Sequence, residues 1–248
     1  MRNQQRNKWV SPQGAMQLLL LMAVTVPLSV RADGSSIGRV YHPYVQPLER
    51  EIELRSIYVN DDDDEIDGAQ EHLLSFGKSF TDRLFAEVYL IGAKESEGSS
   101  FSLEAYELEV KWQLTEQGEY SADWGLLFEL ETERDDDAWE YATTVLVEKE
   151  VGRWVGALNL SAIYEWGDDV SNEWESKLAA QMRYRYSRAL EPAIELYSGD
   201  ADKGLGPVLL GNIRFEKARK LHWETGVIFG LDSDSPDQAL RFLLEYEF

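Results

Sequence analysis

The chain has 248 residues, no cysteine and a formal net charge of −22, with 46 acidic against 24 basic side chains. That charge excludes nucleic acid as a partner, and the lack of thiols excludes disulfides, thiolate metal sites and a cysteine nucleophile. Beyond the N-terminal run described next, no stretch reaches 18 apolar residues, so no later segment can cross a membrane as a helix.

Residues 1–17 carry Arg2, Arg6 and Lys8 and no acid; an apolar run follows from Leu18 to Val30. A run of about 13 residues suits the core of a signal peptide, whereas a spanning helix needs about 20. Val30-Arg31-Ala32 offers a cleavage site, so residues 1–32 are expected to be a signal peptide and Asp33 the first mature residue. Residues 33–47, with His42, Pro43 and Pro47, lack any alternation. They are expected to be a periplasmic N-terminal segment, either a free tail or a stretch lying under or inside the domain that follows.

From residue 48 to 248 one theme repeats: alternating stretches separated by turn-rich or acidic breaks. The pattern predicts twelve strands over 48–59, 70–79, 83–93, 102–114, 122–132, 138–150, 154–166, 173–186, 191–198, 207–216, 219–229 and 239–248. In the fourth, Tyr106, Leu108, Val110, Trp112 and Leu114 alternate with Glu107, Glu109 and Lys111. The fifth sets Trp124, Leu126, Phe128 and Leu130 against Glu129 and Glu131, and the eighth sets Trp174, Leu178 and Met182 against Glu175, Lys177, Arg183 and Arg185. The last places Leu240, Phe242, Leu244, Tyr246 and Phe248 on one face and stops on an aromatic residue. Such a strand resembles the sorting signal of bacterial outer-membrane barrels read by the barrel-assembly machinery.

Alternation alone also fits a soluble sandwich with the Trp and Leu face inside. Two features favour a membrane. The breaks are read as alternating short and long, as in outer-membrane barrels with long loops outside. Tryptophans also gather at strand ends. Trp112, Trp124 and Trp154 flank short breaks and Trp139, Trp166 and Trp174 flank long ones, which predicts two aromatic girdles. The expectation is an all-β, antiparallel, up-and-down transmembrane barrel of about twelve strands in the outer membrane of a Gram-negative cell, in contact with lipid and lipopolysaccharide.

The inward faces would then carry Glu107, Glu109, Lys111, Glu129, Glu131, Lys177, Arg183, Arg185, His222 and Glu224 as a lumen with excess acid. The two arginines on strand eight would pair with the four acids only across the interior. Eight strands give a filled barrel and 16 to 18 a channel, so twelve predicts a narrow or plugged pore. Asp63-x-Glu65-x-Asp67-Gly68 has the opening spacing of a calcium loop, but its twelfth position is Leu74 rather than a bidentate acid. A solvated acidic rim is therefore expected, with no metal and no cofactor. No Gly-x-Ser-x-Gly elbow occurs, and Ser75-x-x-Lys78 lacks the companions of a serine–lysine site, so no catalytic residue is assigned.

The hairpin Gly77-Lys78-Ser79-Phe80-Thr81-Asp82-Arg83-Leu84 resembles the G-x-x-[LF]-T-D-R-[LF] hairpins of the meta-pathway of phenol degradation family of outer-membrane proteins. Gly226 to Asp232, then Ser235-Pro236-Asp237 and the closing Leu-Glu-Tyr-Glu-Phe, are similar to that family's C-terminal hairpin. The resemblance implies an outer-membrane channel or uptake protein for a small, hydrophobic or aromatic, solute. A plugged scaffold that binds a partner, or a lipid-modifying hydrolase, is the alternative.

Overall fold

The computed structural model describes residues 37–216 and 219–248; the expected signal peptide and cleavage site lie outside these residues. Twelve antiparallel strands follow in order: β1 (Arg50–Asn60), β2 (Gln70–Ser79), β3 (Leu84–Lys94), β4 (Ser102–Gln113), β5 (Asp123–Glu133), β6 (Ala138–Val151), β7 (Trp154–Gly167), β8 (Glu173–Tyr184), β9 (Glu191–Ser198), β10 (Lys203–Arg214), β11 (Lys220–Gly230) and β12 (Gln238–Glu247). Each pairs with its sequence neighbours, and β1 pairs with β12 from Glu51↔Glu247 to Asn60↔Gln238, closing the sheet. Closure removes the unpaired edges that an open sheet would expose.

The two faces are inverted relative to a water-soluble protein. Phe76, Trp154 and Trp174 are 52%, 53% and 71% exposed, whereas Glu53, Glu148, Glu195 and Arg241 are at most 1% exposed. A soluble sandwich would bury the aromatic face and solvate the charged one. Only hydrocarbon outside and a polar interior make this arrangement stable, and the protein is an outer-membrane β-barrel. All six predicted girdle tryptophans point outward. Trp139 stacks on Trp166 at 6.4 Å, and Tyr164 packs between Trp166 and Trp174 (5.7 and 4.9 Å) at one end. Trp154 packs on Tyr184 at 5.0 Å at the other end.

Three expectations need correction. The tenth strand begins at Lys203, not 207. Gly204 and Gly206 read as part of a turn, but they are strand residues where the wall is tight. A Cβ on Gly204 would meet Ile228 Cγ2 at 2.5 Å, and one on Gly206 would meet the Val227 carbonyl oxygen at 1.8 Å. Glycine in a strand marks such close approach. The first strand begins only at Arg50, because Leu48 holds a left-handed backbone (φ 65°) that interrupts an extended run. The contrast in loop length is also weaker than read. One end carries 61–69, 95–101, 134–137, 168–172, 199–202 and 231–237; the other carries 80–83, 114–122, 152–153, 185–190 and 215–219. Concentrated acid, rather than length, distinguishes the first end, which we call the acidic end.

The hairpin between β2 and β3 has a packing reason for its glycine. Gly77 and Phe85 both face inward, and a Cβ at 77 would sit 2.2 Å from the Phe85 ring. The ring covers the bare backbone, and Lys111 lies over its face at 5.3 Å.

Candidate functional site

Residues 37–45 are not a tail. They cross the lumen from the acidic end toward the opposite mouth, and Ile37, Val40 and Val45 are buried. Near the acidic end the segment lies against the β9–β12 wall. There Ile37 and Val40 join an apolar cluster with Ile57, Ala193, Val208, Leu210, Ile228 and Ala239. Farther down it passes to the β4–β7 wall, where Pro43 packs on Gly125. The route is a diagonal bar through the barrel.

An irregular backbone buried at this depth must find partners for its polar groups. The inward side chains supply them. Arg241 Nη1 donates to the Gly38 carbonyl at 2.6 Å. The Tyr41 N–H donates to Asn159 Oδ1 at 2.7 Å, and Asn159 Nδ2 returns a bond to the Tyr41 carbonyl at 2.9 Å. The Val45 N–H donates to Gln113 Oε1 at 2.7 Å.

The segment's side chains then complete the acids of the wall. Arg39 bridges Glu53 and Glu245, the latter at 2.7 Å. The Tyr41 hydroxyl donates to Glu109, and the Tyr44 hydroxyl donates to Asp123 at 2.7 Å. His42 Nδ1 lies 2.5 Å from Glu148. The ring can donate Nδ1–H to Glu148, and its buried Nε2 has no partner among the described residues.

Beside the bar lies a polar cavity of about 280 Å³ lined by Tyr41, Arg55, Glu71, Glu107, Glu129, Glu131, Glu140 and Lys177. Glu107 sits directly opposite Glu131 and Glu109 opposite Glu129 in the β4–β5 ladder, and oxygens of Glu107, Glu109 and Glu129 fall within 4.8 Å of one another. Like charges in such positions oppose pairing. Thr144 donates to Glu129 at 3.1 Å and Tyr41 to Glu109, which offsets part of that cost.

The ten residues expected in the lumen do not form one group. Glu107, Glu109, Glu129, Glu131 and Lys177 gather at this cavity, and Lys111 lies nearer the other mouth over Phe85. Arg183 instead approaches Glu148 (3.5 Å) and Glu191 (3.7 Å), and Arg185, just beyond β8, clamps Glu150. They pair along the wall rather than across it, because β9 and β6, one and two strands away, are closer than the opposite side. His222 holds Glu224 at 2.9 Å and Asn212 at 3.2 Å, in a third group where Arg241 bonds Glu224 (2.7 Å) and Glu195 (2.9 Å). Sequence reasoning missed Tyr89 and Tyr197, because aromatic residues in an alternating strand read as lipid-facing. Both are fully buried inside, and Tyr197 donates to Glu195 at 2.6 Å. Ser75 and Lys78, three apart on one strand, lie on opposite faces, and Ser75 donates to Glu87.

No family model matches this chain, and no curated protein sequence does either. Solved outer-membrane barrels share its fold. An outer membrane channel from Pseudomonas putida F1 superposes with a TM-score of 0.57 at 14% identity, covering 88% of this chain and 99% of that one. The KdgM porin, solved in complex with disordered oligogalacturonate, superposes with a TM-score of 0.52 at 11% identity, covering 80% of this chain and 98% of the porin. These likenesses concern the fold; the resemblance to the meta-pathway family rests on its hairpin residues alone.

Proposed function

We propose that the protein is an outer-membrane channel for a small solute, narrowed by its own residues 37–47 and selective for cations. The observation that carries this is the coexistence of the crossing segment with an unfilled polar cavity whose wall holds Glu71, Glu107, Glu129, Glu131 and Glu140 against Arg55 and Lys177. A lining with that excess of acid lowers the barrier for a hydrated cation or a cationic solute and raises it for an anion. It suits such a solute better than the hydrophobic or aromatic one implied by the family resemblance.

Reversal potentials in planar bilayers under a salt gradient test the reading. Cation preference is expected, reduced in the Glu107→Gln/Glu129→Gln double variant. Anion preference would refute the acidic filter. Absence of any conductance would favour the second reading, a plugged scaffold, which the dense bonding of residues 38–45 to the wall also supports.

A further inference from the structure

The lipid-facing wall carries a polar cluster that the lumen does not explain. Ser56 on β1 and His72 on β2 are register partners, and both point outward, since the buried inward residues around them are Arg55, Ile57 and Leu73. Ser56 Oγ lies 2.8 Å from His72 Nδ1, and His72 Nε2 lies 3.4 Å from Gln70 Oε1. Phe101 flanks the imidazole at 5.6 Å. The order hydroxyl, imidazole, amide acceptor is that of a nucleophile, its base and the group that orients the base. With Nε2–H donated to Gln70, Nδ1 is free to accept the serine proton.

The cluster borders an apolar concavity of about 610 Å³ on the outer wall. Tyr58, Pro207, Leu209, Val227, Leu240 and Phe242 are among the residues that line it. Ser56 is paired with Phe242, and the next outward pair toward the acidic end, Tyr58 with Leu240, is the last before Asn60 and the acidic loop 61–69. The hydroxyl thus faces the lipid two outward positions from the end of β1, with Tyr58 between it and Asn60.

We propose that Ser56, His72 and Gln70 form an acyl-ester hydrolase site for lipids of the surrounding leaflet, with an acyl chain in the concavity. Ser56 Oγ bonds to the acyl carbonyl carbon while its proton passes to His72 Nδ1. The ester C–O bond breaks, and the leaving alcohol takes that proton. Water, deprotonated by the same nitrogen, then cleaves the acyl-serine, releasing a fatty acid and restoring the hydroxyl. Gln70 is a positioning residue that fixes the ring and its tautomer.

The test uses the full mature barrel, its folded state checked by heat-modifiable gel migration. A long-chain alkyl fluorophosphonate should label Ser56, as read by peptide mass, and the protein should hydrolyse para-nitrophenyl octanoate and phosphatidylethanolamine vesicles. Ser56→Ala and His72→Ala should each lower turnover by about 10²-fold or more, and Gln70→Ala should lower kcat more than it changes KM. Channel currents should stay unchanged in all three, because these side chains face away from the lumen. A folded wild-type barrel that neither labels nor hydrolyses would overturn the site, as would turnover that persists in Ser56→Ala. Mutual hydrogen bonding of three polar groups in an apolar wall would then be their whole role.

Discussion

Arg39→Ala tests whether the crossing segment is the constriction. In the structure Arg39 is the cation shared by Glu53 and Glu245. Glu53 would keep Arg55, whose Nη2 lies 2.8 Å away. Glu245 would lose the one cation hydrogen-bonded to it among the described residues. Removing one partner of a buried pair costs about 3–5 kcal/mol. In a lumen that keeps some water, the lower end, about 3 kcal/mol, is the appropriate figure. All of it falls on docking of the segment, because no ladder bond involves Arg39. At about 1.4 kcal/mol per decade, the ratio of docked to released segment should fall about 10²-fold. Single-channel recording should show the larger-conductance state about 10² times more often, with little change in the Tm of the barrel. Arg39→Lys, which keeps the charge, should recover most of the closed time. A folded Arg39→Ala protein with wild-type open probability would refute the assignment of this segment as the gate.

Two further outcomes follow from local geometry. Gly206→Ala places a Cβ against the Val227 carbonyl and should cut the yield of folded barrel, by about 2 kcal/mol of stability in urea titration, where a neutral result would mean that the wall yields there. Deleting Phe248, whose N–H bonds the Arg50 carbonyl at 2.8 Å and whose ring stacks on Tyr246, should block assembly, and unchanged surface levels would count against a terminal sorting signal.

Most of the wall was legible because a strand in a membrane barrel obeys one period. Alternation located Trp112, Trp124, Leu240 and Phe242 on the lipid face and Glu109, Glu129 and Glu224 on the other without any tertiary information. It failed where a residue serves a partner far away in sequence. Tyr89 and Tyr197 break the apolar-out rule because their hydroxyls accept from Arg55 and Arg241, 34 and 44 positions away. Gly204 and Gly206 looked like a turn because the side chains that crowd them, Ile37 and Ile228 among them, belong to other segments. Ser56 and His72 are sixteen positions apart and meet only through register, so no spacing motif could have joined them.

The crossing segment was the least legible part, and the reason is instructive. Residues 37–45 have no period because each faces a different strand. Their order, Arg39, Tyr41, His42 and Tyr44, becomes intelligible only when read against the wall as Glu53 and Glu245, Glu109, Glu148 and Asp123. The twelve strands alone leave these carboxylates facing a narrow interior with too few cations to pair them along the wall. Burying them unpaired would be costly. The segment supplies one guanidinium, one imidazole and two phenols at the required heights, so the interior is completed from outside the repeating pattern. Where it passes to one side of Glu71, Glu107, Glu129 and Glu131, the wall keeps an excess of acid over Arg55 and Lys177 that a mobile cation or water can answer. The region that the chain's own cations leave incomplete is therefore the region that we read as the filter.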